Sequence, residues 1–237
     1  MSATALQTLW VGSSLKPLHT AALKSFLKYH TRLELYCYDL IDAVPEGVVL
    51  KDAAEILPKE NIFPYKKGPG KGSFSAFSNV FRYALLFKKG GMWIDTDVFC
   101  LSEWNFDSVP YVFASETLTT ETDRITASCV IKTPPQSSVM KYCWEESLKI
   151  SPDHLEWGQI GPKLLNQGVH RFGLTTYIRP SWEFCALGWD ETELLTHSES
   201  LWQPPQKALG LHLNHEMLRR SQRDFDDQLL SKLDQWT

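Results

Sequence analysis

The segment from Ser75 to Val98 constrains this chain more than any other: SAFSNVFRYALLFKK, a Gly90-Gly91 break, then MWIDTDV. Ser73 to Lys89 reads as a helix, with Phe74, Phe77, Phe81 and Leu85 giving it a wide apolar face. Ser75, Asn79 and Arg82 stand at i, i+4 and i+7 and share a second, polar face. Gly90 is placed to cap this helix in the left-handed conformation. Trp93 and Ile94 precede Asp95 and Asp97, and Val98 and Phe99 follow, so the pattern predicts a buried strand with both carboxylates on one side. Two like charges this close raise each other's pKa and are costly to bury unless a cation offsets them. A lone D-x-D usually marks a solvated turn; carboxylates embedded in an apolar run are seldom left to solvent. Hard carboxylate ligands suit Mg²⁺ or Mn²⁺. The chemistry to expect is a metal holding a phosphate-bearing donor.

The rest of the chain surrounds this segment with alternating strands and helices. Leu6 to Val11 reads as a buried strand stopped by Gly12-Ser13-Ser14, Leu18 to Tyr29 as a helix, and Leu33 to Tyr38 as a second strand. Strand, helix, strand at this spacing predicts a parallel α/β unit. Lys51 to Leu57 reads as a short helix. Pro64 to Gly72, with Lys66, Lys67 and Lys71 among three glycines, is a basic loop without the Walker pattern, as readily a solvated connector as a lid over phosphate. Tyr111 to Glu116 and Ala127 to Ile131 are further strands, and Val139 to Leu148 is an amphipathic helix. Trp157 to Val169 is a turn that becomes a helix after Gly161-Pro162. Ala208 to Leu213 is a late strand. No repeat, low-complexity tract or linker divides the chain, so residues 1–237 are expected to form a single domain.

Composition removes several classes of function. A formal charge of −4 leaves no basic footprint, so nucleic acid is not the expected partner. The count of 9 tryptophans suits base or sugar pockets, though core packing accounts for most of them. Cys37, Cys100, Cys129, Cys143 and Cys185 are odd in number and form no C-x-x-C pair. They read as reduced, buried thiols, with a zinc site among them improbable. The N-terminus lacks signal-peptide regions. No apolar run approaches the ~20 residues of a membrane span. The expectation is a soluble chain, with peripheral membrane contact left open.

Single residues carry two readings each. Arg82 has a fork suited to phosphate or a sugar hydroxyl pair, or to an ion pair with one of the aspartates. Asn79, one turn earlier, could orient a hydroxyl or be a plain helix-surface residue. His212, Asn214 and His215 follow the late strand; beside a carboxylate pair, one imidazole could complete a metal site.

These residues carry a family resemblance. FSAFSNVFRYALLFKKGGMWIDTDVF resembles the DxD-containing glycosyltransferases, whose pattern is approximately S-D-x-x-R-x-x-x-L followed by G-G-x-Y-x-D-x-D. The signature is shared by capsule and lipopolysaccharide sugar transferases, yeast mannosyltransferases, α-1,4-galactosyltransferase-like enzymes and the large clostridial glucosylating toxins. Ser78, Asn79, Arg82, Leu86, Gly90, Gly91, Trp93, Asp95 and Asp97 occupy it. Leu9-Trp10-Val11-Gly12 looks like the family's opening strand, Gly161-Pro162 like its GP turn, and Leu211 to Asn214 like its closing segment at the metal.

The resemblance implies a GT-A-type nucleotide-sugar-binding α/β fold, with a central mixed sheet flanked by helices. It implies a UDP-sugar donor, Mn²⁺ or Mg²⁺, a glycan or lipid-linked acceptor and retention of anomeric configuration. Carried over, Trp10 stacks on the base beside Val11 and Gly12, Arg82 contacts sugar or phosphate with Ser78 and Asn79 nearby, and Asp95 with Thr96 reaches ribose or sugar. Asp97 binds the metal, with His212 and either Asn214 or His215. A bacterial cytoplasmic setting, at or near the inner face of the membrane, goes with it. Asn79 departs from the family aspartate, keeping a hydrogen bond but losing a charge. Trp93 replaces a tyrosine, and Asn214-His215 a Trp-Asn pair. A catalytically degenerate nucleotide-sugar-binding protein is the second reading, and a metal-dependent phosphoesterase, whose GDxxD or GNHD motifs are missing here, the third. Acceptor contacts are expected from Leu118 to Arg124, Pro152 to Trp157 and Trp182 to Trp189.

Overall fold

The computed structural model describes residues 4–116, 125–196, 201–220 and 227–236. β1 (Leu6–Trp10), α1 (Pro17–Leu27) and β2 (Leu33–Cys37) form the parallel unit, with Leu6 opposite Leu33 and Trp10 opposite Cys37. β3 (Val48–Asp52) adds to β2 in parallel. α2 (Ser75–Lys89) carries the chain back across the sheet to β4 (Gly91–Ile94), which pairs in parallel with the free side of β1. β5 (Val98–Cys100) leaves the sheet, while β6 (Val112–Ser115) and β7 (Thr126–Thr133) extend it with antiparallel pairings. The result is a mixed six-stranded sheet in the order β3-β2-β1-β4-β7-β6.

α3 (Ser138–Ser147), α4 (Leu164–Arg171), α5 (Ser181–Phe184) and α6 (Glu193–Thr196) follow. β8 (Gly210–His212) then pairs antiparallel with β5, so that His212 stands opposite Val98. α7 (His215–Arg220) and α8 (Asp227–Gln235) complete the described chain.

Strand side chains alternate between two cores, as a sheet covered on both faces requires. Leu33, Leu35, Met92 and Ile94 pack with Leu23 and Phe26 of α1. Tyr36, Trp93, Phe113 and Ile131 pack with Phe77, Phe81 and Leu85 of α2. A third cluster joins Leu18 and Ala22 of α1 to Phe99, Leu211, Leu229 and Leu233, and so fastens β8 and α8 against the N-terminal unit. β1 has one parallel neighbour on each side: it connects through α1 to β2, and the chain then returns from β3 through α2 to β4 on its other side. The C-terminal ends of β1 and β4 therefore lie at the switch point, the place where open α/β sheets hold their ligand crevice.

Three local expectations are corrected. Asp95-Thr96-Asp97 is not part of a strand; it is a turn between β4 and β5, closed by the Val98 N–H donating to the Asp95 carbonyl. A turn lifts both carboxylates to the sheet end instead of driving them into a packed face. Lys51 to Leu57 is the end of β3 and a single 3-10 turn, because Asp52 Oδ1 accepts from the Ala54 N–H and stops the strand there. Gly90 has positive φ but is not left-handed helical, at φ 65 and ψ −158. A Cβ there would lie 2.5 Å from the Pro135 nitrogen, so the residue must be glycine for the approach as well as for the turn.

Candidate functional site

Asp95, Asp97 and His212 converge at the crevice, each offering one ligand atom within 4.8 Å of the others. β4 delivers the aspartates, and the short β5–β8 sheet delivers the histidine from more than a hundred residues later. Asp97 is held from the C-terminal side: its carbonyl accepts from the Leu213 N–H at 3.0 Å, and its Oδ2 from the His215 N–H at 2.9 Å. Its Oδ1 lies 3.5 Å from His212 Nε2. Burial works against ionisation of Asp97, yet the His212 charge and hydrogen bond, with the His215 N–H, hold its carboxyl well below the usual range. Burial opposes a charged His212, but Cys129 and Asp97 outweigh it and the net direction is upward. The Cys129 thiol is itself held neutral, so the Asp97 carboxylate is the charge that counts there.

Asp95 has a different environment. Its Oδ1 accepts from Trp93 Nε1 at 2.8 Å and lies 3.0 Å from Arg82 Nη2. Burial pushes its carboxyl upward, which the Arg82 guanidinium only partly offsets. Arg82 is 3 % exposed and spends its donors inside the protein, on the Ser78 carbonyl and hydroxyl, the Ser128 carbonyl and Asp95. Of the two sequence readings, the geometry has the ion pair: Arg82 positions Asp95. Trp93 lies under the guanidinium, 4.8 Å from its centre, and this gives the tryptophan at the family tyrosine position a role.

Ser78 and Asn79 sit on α2 beside this pair. Asn79 is buried, and its Oδ1 has no hydrogen-bond partner among the described residues. It packs on Gly161, whose carbonyl accepts from the Tyr83 hydroxyl at 3.1 Å, so the GP turn is seated on α2. Thr96 is half-buried between the two aspartates. At the end of β1, Trp10 keeps part of its surface open, donates from Nε1 to the Ser14 carbonyl at 3.1 Å, and leads through Val11 to exposed Gly12.

His215 and Asn214 are close by: the ligand atoms of Asp95, Asp97 and His212 form one group, and the charge of the His215 ring also acts on Asp97. That ring stands edge-on to His19 at 4.9 Å, and His19 in turn lies 4.4 Å from Trp10. Asn214 Nδ2 reaches the His212 carbonyl at 3.5 Å.

Two residues, His19 and Glu116, and the meeting of Cys129 with Cys185 escape the sequence reading. His19 is buried within α1 and links Trp10 to His215; a histidine on the inward side of a helix is the only signal it leaves. Glu116, at the end of β6, is close enough for His212 to act on it, while burial raises its carboxyl. Cys129 and Cys185, 56 residues apart in sequence, come into contact beside His212 with sulfurs 3.5 Å apart. None of the five cysteines is in a disulfide, and Cys129 and Cys185 form with His212 a group that could hold a metal ion.

Of the loops expected at the acceptor, Leu118 to Arg124 lies outside the described residues. Pro152 to Trp157 joins the basic loop through the Lys66–Asp153 ion pair, 2.6 Å, and Trp157 lies under Arg220 at 3.7 Å. Trp182 and Trp189 present exposed rings. Among the described residues no helix is long and apolar enough to cross a membrane.

The site's residues fit a divalent cation. Two carboxylates and an imidazole face one point, and the one nearest His212 is kept ionised by its surroundings.

Residues 18–114 match the family described as "Glycosyltransferase sugar-binding region containing DXD motif". The matched span includes Asn79, Arg82, Asp95 and Asp97, but neither Trp10 nor His212. Among solved structures, the chain is similar to "PaToxG Glycosyltransferase" at 11% identity and a TM-score of 0.52, over 71% of this chain and 68% of that one. A transferase mutant matches at 9% identity and a TM-score of 0.45, over 73% and 86%. No curated protein sequence matches the chain. At such identity the first likeness shows a shared fold, a mixed sheet flanked by helices of the GT-A kind.

Proposed function

From the match of residues 18–114 to the DXD-containing glycosyltransferases we propose that this chain moves a hexose from a UDP-sugar to a hydroxyl of a glycan or lipid-linked acceptor, with Mn²⁺ or Mg²⁺ and with retention of anomeric configuration. The observation that supports this most is the convergence of Asp95, Asp97 and His212 at the switch-point crevice. Asp97 and His212 would hold the ion, with Asp95 beside them. When bound, the ion neutralises charge that develops on the departing diphosphate.

The chain's own residues do the positioning. The His215 N–H and His212 keep Asp97 ionised and aimed. Arg82 clamps Asp95 from beneath. Asn79, whose buried amide oxygen has no partner among the described residues, would accept from a donor-sugar hydroxyl where the family pattern has an aspartate, with one charge fewer. The open part of Trp10 offers a stacking face to the base. The acceptor hydroxyl attacks from the leaving-group side and passes its proton to a donor phosphate oxygen, so no separate protein base is needed. A cytoplasmic setting near a membrane surface accompanies this reading.

Thermal unfolding against a panel of nucleotides and nucleotide sugars, with and without Mn²⁺, tests it. A ligand at one hundred times its Kd adds about 2.7 kcal/mol to stability. In a chain of this size that raises Tm by about 5–10 °C. The expected result is a metal-dependent rise selective for uridine nucleotides. Asp97→Asn, whose side-chain oxygen still accepts from the His215 N–H, is expected to fold and to lose the metal-dependent part. Near-normal turnover in that variant would remove Asp97 from its assigned role.

A further inference from the structure

We propose that Cys129, Cys185 and His212 form a second metal site, for a thiophilic divalent cation such as Zn²⁺, which shares its imidazole with the carboxylate site. Three separate segments build it: β7, the residue closing α5, and β8. One ligand atom from each lies within 4.8 Å of the others. The two sulfurs stand 3.5 Å apart. Two thiolates at about 2.3 Å from a tetrahedral zinc stand about 3.8 Å from one another, so the pair is within a few tenths of an ångström of metal-bound spacing. A disulfide needs about 2.05 Å.

The ligands are also held firmly. The Cys129 carbonyl accepts from the Asp95 N–H at 2.8 Å, which ties the thiol strand to the DXD turn. The Cys185 N–H donates to the Ser181 carbonyl at 2.7 Å, and the Leu209 N–H to the Glu183 carbonyl at 2.9 Å, which ties α5 to the approach of β8. Both cysteines are buried, whereas the His212 side chain is 19% exposed, so an ion enters from the crevice side.

The two ligand sets differ in chemistry. Carboxylates with an imidazole suit Mg²⁺ or Mn²⁺; two sulfurs with an imidazole suit Zn²⁺. As the soft ion binds, each thiol gives its proton to solvent and the sulfur becomes a ligand. His212, which already borders both ligand sets, then serves the sulfur site in place of the carboxylates. If the donor-site reading above is correct, Zn²⁺ inhibits Mn²⁺-supported donor binding; the existence of the thiolate site does not rest on that reading.

Co²⁺ added to the full, reduced, chelator-treated chain is the probe. The expected result is a sulfur-to-cobalt charge-transfer absorption with tetrahedral visible bands, bleached by Zn²⁺. It is expected to be lost in Cys129→Ser and in Cys185→Ser and kept in Cys37→Ser, with folding checked by circular dichroism. If one serine variant fails to fold, the other and the wild-type spectrum decide. A wild-type spectrum with only weak octahedral bands would place cobalt on the carboxylates alone and overturn the site. So would a charge-transfer band that persists in a folded serine variant. A failure of nucleotides to bind would leave the cobalt result standing, so the two readings fail separately.

Discussion

Arg82 shows how a residue type constrains chemistry without settling geometry. Its fork suits phosphate, but the fold surrounds it with the Ser78 and Ser128 carbonyls, the Ser78 hydroxyl and Asp95, and seats it over Trp93. A lysine ammonium cannot reach those acceptors together. Arg82→Lys is therefore expected to cost about 3 kcal/mol, the scale of breaking a buried ion pair, seen as a lower urea midpoint. In an Asp95→Asn background the same substitution is expected to cost less, because the partner charge is already gone. Equal losses in both backgrounds would assign the effect to the carbonyl contacts.

α2 and the glycine break after it are largely legible as elements. The apolar spacing, the glycine break and the polar face of Ser75, Asn79 and Arg82 all lie within one continuous stretch. What the spacing could not show is that α2 carries the GP turn on its polar side. A Cβ on Gly161 would lie 2.9 Å from Asn79 Nδ2 and 3.3 Å from its Oδ1. Gly161→Ala is thus expected to displace Asn79, at an overpacking cost of about 1–3 kcal/mol. Nucleotide-sugar binding is expected to weaken while binding of the free nucleotide is kept, because Asn79 is assigned to the sugar. Titration calorimetry with both ligands separates these outcomes. The D-x-D turn was misread for a related reason: alternation along Trp93 to Phe99 suits a strand, and only the separate pairings of β4 and β5 break it into two.

At the scale of the molecule, the third apolar cluster holds the C-terminal segment against α1 and so brings His212 to Asp97. The same N-terminal unit contains His30, whose Nε2 accepts from the Trp104 N–H at 3.4 Å, against the ring of Phe26. Burial lowers its pKa from 6.5, with Glu103 acting the other way. The unfolded chain takes up this proton at higher pH than the folded one does. The stability tied to a neutral His30 is therefore present above 6.5 and is lost as pH falls through the folded value. Urea midpoints of the chain are expected to fall between about pH 7 and about pH 5, and His30→Gln to flatten part of that slope. An unchanged slope would assign the loss to other groups.

The sequence by itself determined the α/β class, the helix–glycine–strand segment and the carboxylate pair with its family pattern, because each depends on periodicity or spacing within one run of residues. Only the tertiary structure decided that Arg82 faces Asp95, that His212 joins the carboxylates, and that Cys129 meets Cys185. Those contacts join segments separated by tens of residues or more, and no local pattern encodes them. They follow from the order in which strands pair and from which apolar faces must be buried together.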